Sequence, residues 1–256
     1  MGSTGGRGSV TCLPLQPFDA GVSKRLTMNK VYATAAEAIA DVDDGAVIMF
    51  GGFFSNGSPT NLILALAEKG TKNITAVSNN IGLVDRLDIL CQNKQLRKFI
   101  GAFPFRATSQ GRPLIQEAFL AKEVEVEIVP MGTFIERIRA GGAGIGGFYT
   151  PTGIGTVVAE GKEERTINGV RYLLEMPLKA DFAFIKAFKA DTMGNLIYRG
   201  STRNFNPMMA TAARVTIADV EEIVEAGELD PEAIITPGIF VDRVVKGPKH
   251  DPDGFD

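Results

Sequence analysis

From about residue 34 the chain alternates two hydrophobic patterns. Residues 46–50 are a continuous apolar run, as expected of a strand buried on both faces, and 74–78, 97–102 and 124–129 read as further short strands. Stretches with helical signals separate them. Thr34-Ala-Ala-Glu37 is a capping box opening a short helix. Ser58-Pro59 starts a second helix with proline at its first position; Leu62, Ile63 and Leu66 form its apolar face and Gly70 closes it. Further helices are predicted over 83–91, 113–122 and 133–139, the last ending at Gly141-Gly142. Repeated strand, helix, strand units with short connections predict an α/β fold: an open, mostly parallel sheet flanked by helices. The pattern then changes. Residues 165–175 read as a β-hairpin around Asn168-Gly169, which predicts a flap. Residues 182–187 are another buried strand, 207–213 a helix, and 215–218 and 239–245 closing strands.

Residues 1–27 fit none of this. They are Gly/Ser/Thr-rich at the start, lack an apolar core of signal-peptide length, and read as a disordered leader, an added extension or a misplaced start, with Met28 opening the domain. The domain is expected to run over 28–248 and to end in a polar tail at 249–256.

Composition removes several kinds of chemistry. With 27 basic and 30 acidic residues the formal charge is −3, and no basic run suggests nucleic acid as a partner. No apolar stretch reaches the ~18 residues of a membrane span. One histidine, His250, leaves little room for a histidine-based zinc site or a Ser-His-Asp triad, and two cysteines give no metal spacing. No metal is expected. Glycine is in excess, 29 of 256 residues, about 11% against a usual ~7%.

The glycines cluster where an α/β sheet binds ligands, beyond the carboxyl ends of its strands. The first strand runs into Gly51-Gly52-Phe53-Phe54-Ser55-Asn56-Gly57-Ser58-Pro59 and then a helix, whose N-terminus is expected to offer free N–H groups to an anion. The glycine spacing is not that of a dinucleotide-binding loop, and no lysine follows it as in a P-loop. The next strand ends in Ser78-Asn79-Asn80, adjacent amides able to orient a carboxylate or simply to make a turn. The fourth ends in Pro130-Met131-Gly132-Thr133, and seven of the fifteen residues 141–155 are glycine, interleaved with Ile145, Phe148, Tyr149 and Ile154. Glu123, Glu125 and Glu127 share one strand face and are expected to be solvated. Arg203-Asn204-Phe205 is either an anion contact or a structural turn.

Taken in order, these motifs resemble the A subunit of class I coenzyme A transferases. The resemblance starts at Asp44-Gly45, Ile48-Met49-Phe50, Gly51-Gly52-Phe53, Gly57 and Pro59, and continues through Ser78-Asn79-Asn80, Glu136 to Gly144, Phe148 to Gly153, Gly194-Asn195-Leu196, Arg203-Asn204-Phe205 and Ile235 to Gly238. It implies ping-pong transfer of CoA between carboxylic acids. A glutamate attacks the acyl-CoA thioester, an anhydride forms, and CoA thiolate converts it to a glutamyl-CoA thioester. A carboxylate is ionised at pH 7, so this chemistry needs no histidine base.

The nucleophile belongs to a Ser-Glu-Asn-Gly motif of the B subunit, which this chain lacks. The resemblance therefore implies no catalytic residue here, an obligatory B partner in an α₂β₂ assembly, CoA as substrate with no permanently bound cofactor, and a cytoplasmic location. Its most specific sense is a 3-oxoacid transferase, using succinyl-CoA with acetoacetate or 3-oxoadipate in ketone-body or aromatic degradation. The alternatives are a short-chain fatty acid (acetate or butyrate) transferase and one chain of an acyl-CoA hydrolase. The resemblance places Asn79 at the site, Gly51, Gly52, Phe53 and Gly57 in its wall, and Met131-Gly132 beside it, with Met131 standing where the family usually has glutamine.

Overall fold

The structure, a computed structural model, describes residues 30–82, 86–105 and 112–248. Its strands are β1 Val31–Tyr32, β2 Val47–Phe50, β3 Ile74–Val77, β4 Leu96–Gly101, β5 Glu125–Ile128, β6 Phe148–Thr150, β7 Glu164–Ile167, β8 Val170–Glu175, β9 Ala180–Asp191, β10 Leu196–Ile197, β11 Ala213–Val224 and β12 Arg243–Lys246. Its α-helices are α1 Ala35–Ala38, α2 Thr60–Lys69, α3 Asp88–Gln92, α4 Leu114–Leu120, α5 Met131–Ala143 and α6 Asn206–Ala210.

The main sheet runs β1-β12-β11-β9-β2-β3-β4-β5, every neighbouring pair parallel, with β10 added antiparallel to β9. Strand side chains alternate between two cores. Ile48, Phe50, Ala76, Phe99 and Phe184 face α1 to α4, while Met49, Val77, Ile100, Ala183 and Ile185 face α5 and α6. The predicted open parallel sheet with helices on both faces is what forms.

The hairpin forms as read: Asn168 and Gly169 both take positive φ, 50° and 80°, as a two-residue turn of this kind requires. β6 pairs with β8, so the flap is a three-stranded antiparallel sheet.

Several boundaries differ from the sequence reading. The helix predicted over 83–91 starts at Asp88, and residues 83–85 of that prediction lie outside the described residues. Pro59 is the N-cap of α2 rather than its first residue. α5 starts two residues early, at Met131, and runs through Gly141-Gly142 to a left-handed Gly144. A Cβ at Gly141 would overlap the Leu178 carbonyl, and one at Gly142 would overlap the Thr211 side chain. Those glycines let α5 pack closely and do not end it. β9 and β11 are both twelve residues long, well beyond their apolar cores. The last strand, predicted over 239–245, begins only at Arg243, because Gly238–Phe240 form a 3₁₀ turn.

Candidate active site

The loops at the carboxyl ends of β2 and β3 meet. Past Phe50 the chain makes a tight turn in which Phe53 and Asn56 exchange backbone hydrogen bonds at 3.0 and 3.1 Å. Phe54, at its tip, takes φ 55°, a left-handed conformation uncommon for a bulky side chain. Two sets of amides hold this turn. On one side Asn80 Oδ1 accepts the Phe54 N–H at 2.9 Å and the Asn79 Nδ2–H at 3.1 Å. On the other, Asn204 Nδ2 donates to the Asn56 carbonyl at 2.9 Å and Asn206 Nδ2 to the Gly57 carbonyl at 3.0 Å. Phe53 stacks on Phe205, centroids 6.4 Å apart, and Phe205 meets Phe134 of α5 edge-on at 5.7 Å.

The glycines of this loop answer to neighbours within the chain. A Cβ at Gly51 would overlap the Asn206 carboxamide oxygen, and one at Gly57 would lie 2.8 Å from Asn206 Nδ2. Gly52 has φ 114°, which side-chain-bearing residues rarely adopt.

The expectation of free N–H groups at the start of α2 is corrected in part. Pro59 gives no side-chain cap, but Asp219 Oδ2 of β11 accepts the Asn61 N–H at 3.2 Å. Asp219 is fully buried, and Lys186 Nζ, on the register-matched residue of β9, lies 3.1 Å from its other oxygen. Burial pushes the Asp219 carboxyl above the usual carboxylate range, while Lys186 and the Asn61 N–H pull it back. An internal carboxylate thus occupies the place an anionic ligand was expected to take.

Asn79 is fully buried. Its backbone carbonyl accepts from Ala102 and Phe103 at 3.2 and 2.9 Å, tying β3 to the end of β4. Its side-chain Oδ1 is the one buried side-chain polar atom among the described residues without a hydrogen-bond partner. Leaving such an acceptor unpaired costs about 1–3 kcal/mol, so this oxygen is suited to a donor from a ligand or a partner chain.

Between these loops opens a small cleft lined by Phe50, Gly51, Gly52, Phe54, Ser58, Ile63, Ser78, Asn80 and Leu87; of the predicted site residues only Gly51 and Gly52 line it. It is a shallow depression: its ≈ 180 Å³ of non-atom space includes open solvent and leaves essentially no room for a water-sized body, so it does not close around a small molecule. No carboxylate, imidazole or thiol is among these lining residues.

Met131 and Gly132 stand apart from this cleft. They open α5 after β5, two strands further along the sheet; Met131 is 43% exposed and a Cβ at Gly132 would meet nothing within 4 Å. Of the predicted site residues, Gly51, Gly52, Phe53, Gly57 and Asn79 come together, and Met131 and Gly132 join them only through the Phe134–Phe205–Phe53 contacts. Exposed Phe54, Phe103 and Met131 follow β2, β4 and β5.

The three glutamates are less uniform than expected. Glu127 bonds Arg137 and Lys98, both at 2.8 Å, which outweighs its burial and holds its carboxyl below the usual range. Arg203 is exposed, and its neighbours Asn204 and Asn206 carry the structural contacts. Sequence reasoning missed Asn206, Lys186 and Asp219; the pair of asparagines flanking Phe205 was the only available signal for the first.

Among the described residues, no group of three His, Cys, Asp or Glu is placed to hold a metal ion, and no helix is long and apolar enough to cross a membrane.

One family model, described as coenzyme A transferase, matches residues 32–247. The chain is 51% identical over 221 residues to the A subunit of a probable succinyl-CoA:3-ketoacid coenzyme A transferase of Bacillus subtilis (strain 168), spanning 86% of this chain and 91% of that one. It is 50% identical over 219 residues to the A subunit of 3-oxoadipate CoA-transferase of Pseudomonas putida, spanning 85% and 94%. Among solved structures it superposes on an acyl-CoA transferase from E. coli O157:H7 in thioester complex with CoA. There the TM-score is 0.79 at 23% identity, over 90% of this chain and 49% of that one. It also superposes on glutaconate coenzyme A-transferase from Acidaminococcus fermentans with TM-score 0.74 at 22% identity, over 86% and 76%. At those identities the structures speak to the fold alone.

Proposed function

The chain belongs to the coenzyme A transferase family, and from that premise we propose that it is the A subunit of a heteromeric 3-oxoacid CoA-transferase. The enzyme moves CoA from succinyl-CoA to acetoacetate or 3-oxoadipate, in the cytoplasm, as an α₂β₂ assembly. CoA is its substrate, and no resident cofactor takes part.

The observation that carries this reading is the unfinished cleft. It has a hydrogen-bonded loop for a wall and, one residue from its lining, an unpartnered buried acceptor, yet no carboxylate, imidazole or thiol among its described lining residues. On this reading the nucleophile is the glutamate of a B subunit, as in the family the chain belongs to. In the reaction that follows, this carboxylate attacks the thioester carbonyl, the C–S bond breaks and CoA leaves as thiolate. The thiolate attacks the glutamyl carbonyl of the resulting anhydride, and the donor acid leaves as carboxylate. The acceptor acid then runs both steps in reverse. This chain's part is to bind and orient. Gly51, Gly52, Phe53 and Gly57 form the wall, Asn79 offers its Oδ1 to a donor, and Met131-Gly132 lie at the rim.

The exposed apolar Met131 favours a second reading of the acceptor, a short-chain fatty acid such as acetate or butyrate. Co-expression with a B-type chain carrying Ser-Glu-Asn-Gly decides among these. Transfer from succinyl-CoA to acetoacetate or 3-oxoadipate by the complex, and not by this chain alone, is the expected result. Preference for acetate or butyrate selects the second reading, and CoA release without an acceptor selects a hydrolase.

A further inference from the structure

One fully buried side chain outside the wall is bonded to it from behind. Asn206 opens α6; its Oδ1 accepts the Lys186 N–H at 2.9 Å, and its Nδ2 donates to the carbonyls of Gly57 and Thr202, both at 3.0 Å. Its Nδ2 also lies 3.3 Å from Asn204 Oδ1. Asn204 in turn donates to the Asn56 carbonyl, and the intervening Phe205 stacks on Phe53. The volume that side chains at Gly51 and Gly57 would fill is occupied by the Asn206 carboxamide. An apolar residue would fill the space but satisfy none of these backbone groups. A carboxamide fits because it donates and accepts at once.

We infer that Asn206 is a positioning residue for CoA transfer: it fixes the Gly51–Gly57 loop, and through it Phe53, against Asn79 and the incoming reactants. The inference rests on the reading of that loop as the substrate wall. Misplacing a wall by about 1 Å costs on the order of 100-fold in rate, because the reacting groups must be held in a near-attack arrangement.

Asn206→Asp tests it in the assembled A–B complex. The shape is kept, but an ionised carboxylate has no donor for the Gly57 and Thr202 carbonyls. We expect a complex of wild-type size whose kcat is roughly 10- to 100-fold lower, with KM for succinyl-CoA within about threefold. The ratio of variant to wild-type kcat should rise as pH falls, because the introduced carboxyl regains an O–H donor once protonated. A merely structural role would lower activity only in step with lost complex, leaving kcat per assembled complex unchanged at every pH; that result overturns the inference. Where the variant does not assemble, Asn204→Ala, at a half-buried position, decides: a kcat loss of about threefold or more supports the clamp, and none overturns it. An inactive wild-type complex would instead overturn the transferase reading, and this inference with it.

Discussion

Two parts of the sheet's carboxyl edge differ sharply in how far the chain finishes them. At β2 and β3 the loops are buried at their glycines and asparagines, with only the Phe54 tip exposed, and Asn80, Asn204 and Asn206 bond the β2 loop's backbone on both sides. At the end of β5, Met131 and Gly132 are exposed, and Gly132 has open space around it. Both regions read alike in sequence, as glycine beside a large apolar residue after an apolar strand. In the first, glycine is dictated by a buried carboxamide; in the second, nothing among the described residues dictates it. In the proposed reading the first is the wall of the site, and the second is left for the partner subunit to complete.

The largest expected effect lies behind the finished region. Lys186→Met leaves the Asp219 carboxylate buried without its cation and should cost about 3–5 kcal/mol in denaturant unfolding near neutral pH. The cost should depend on pH. Burial already raises the Asp219 pKa, so between the ordinary and the raised value the folded state holds a proton that the unfolded state lacks, and stability grows as pH falls. Removing Lys186 extends that window upward. The deficit of the variant should therefore be larger at pH 8 than at pH 5, and an equal deficit at both would show that the pair is not charged.

Next comes the direct contrast of glycines. Gly51→Ala forces a methyl into the Asn206 carboxamide and should destabilise by about 3 kcal/mol. Gly132→Ala, in the first turn of α5, should be neutral or stabilise by up to about 0.5 kcal/mol. Similar melting shifts for both would break the comparison.

Met131→Gln should move stability by less than about 0.5 kcal/mol, as an exposed change. In the complex it should raise kcat/KM for succinate or acetoacetate by about tenfold, below the roughly 10²–10³ that a fully placed oxyanion donor contributes. An unchanged ranking of acids would assign Met131 no part in substrate choice.

The smallest effect is at Glu127. Its carboxyl is held below the ordinary range, so its stabilisation is present above that range and is lost as pH falls through the depressed value. Glu127→Gln should flatten the acid side of the stability profile by up to about 1 kcal/mol, allowing for solvent screening at a partly exposed group.

Much of the architecture was legible because it is local. Two-sided burial writes itself as unbroken apolar runs, and Asn168-Gly169 specifies its own turn. Polar residues hid the rest. The strand read over 215–218 stops just before Asp219, and Lys186 sits inside the strand read over 182–187 without any sign of its role, although the two residues are cross-strand partners. The cap of α2 comes from Asp219, far from Asn61 along the chain, and no short-range pattern announces it. The site was legible as a set of loops, but not the origin of its glycines. That origin lies in Asn206, whose contacts with Gly51 and Gly57 exist only after β2 and α6 have packed.

The central claim is that a finished wall on this chain awaits a nucleophile from another. CoA transfer from succinyl-CoA to a 3-oxoacid, assayed with this chain by itself, a Ser-Glu-Asn-Gly B subunit by itself and the co-purified pair, tests it most directly. The account predicts turnover by the pair and none by either chain. Full transferase activity from this chain alone would contradict it.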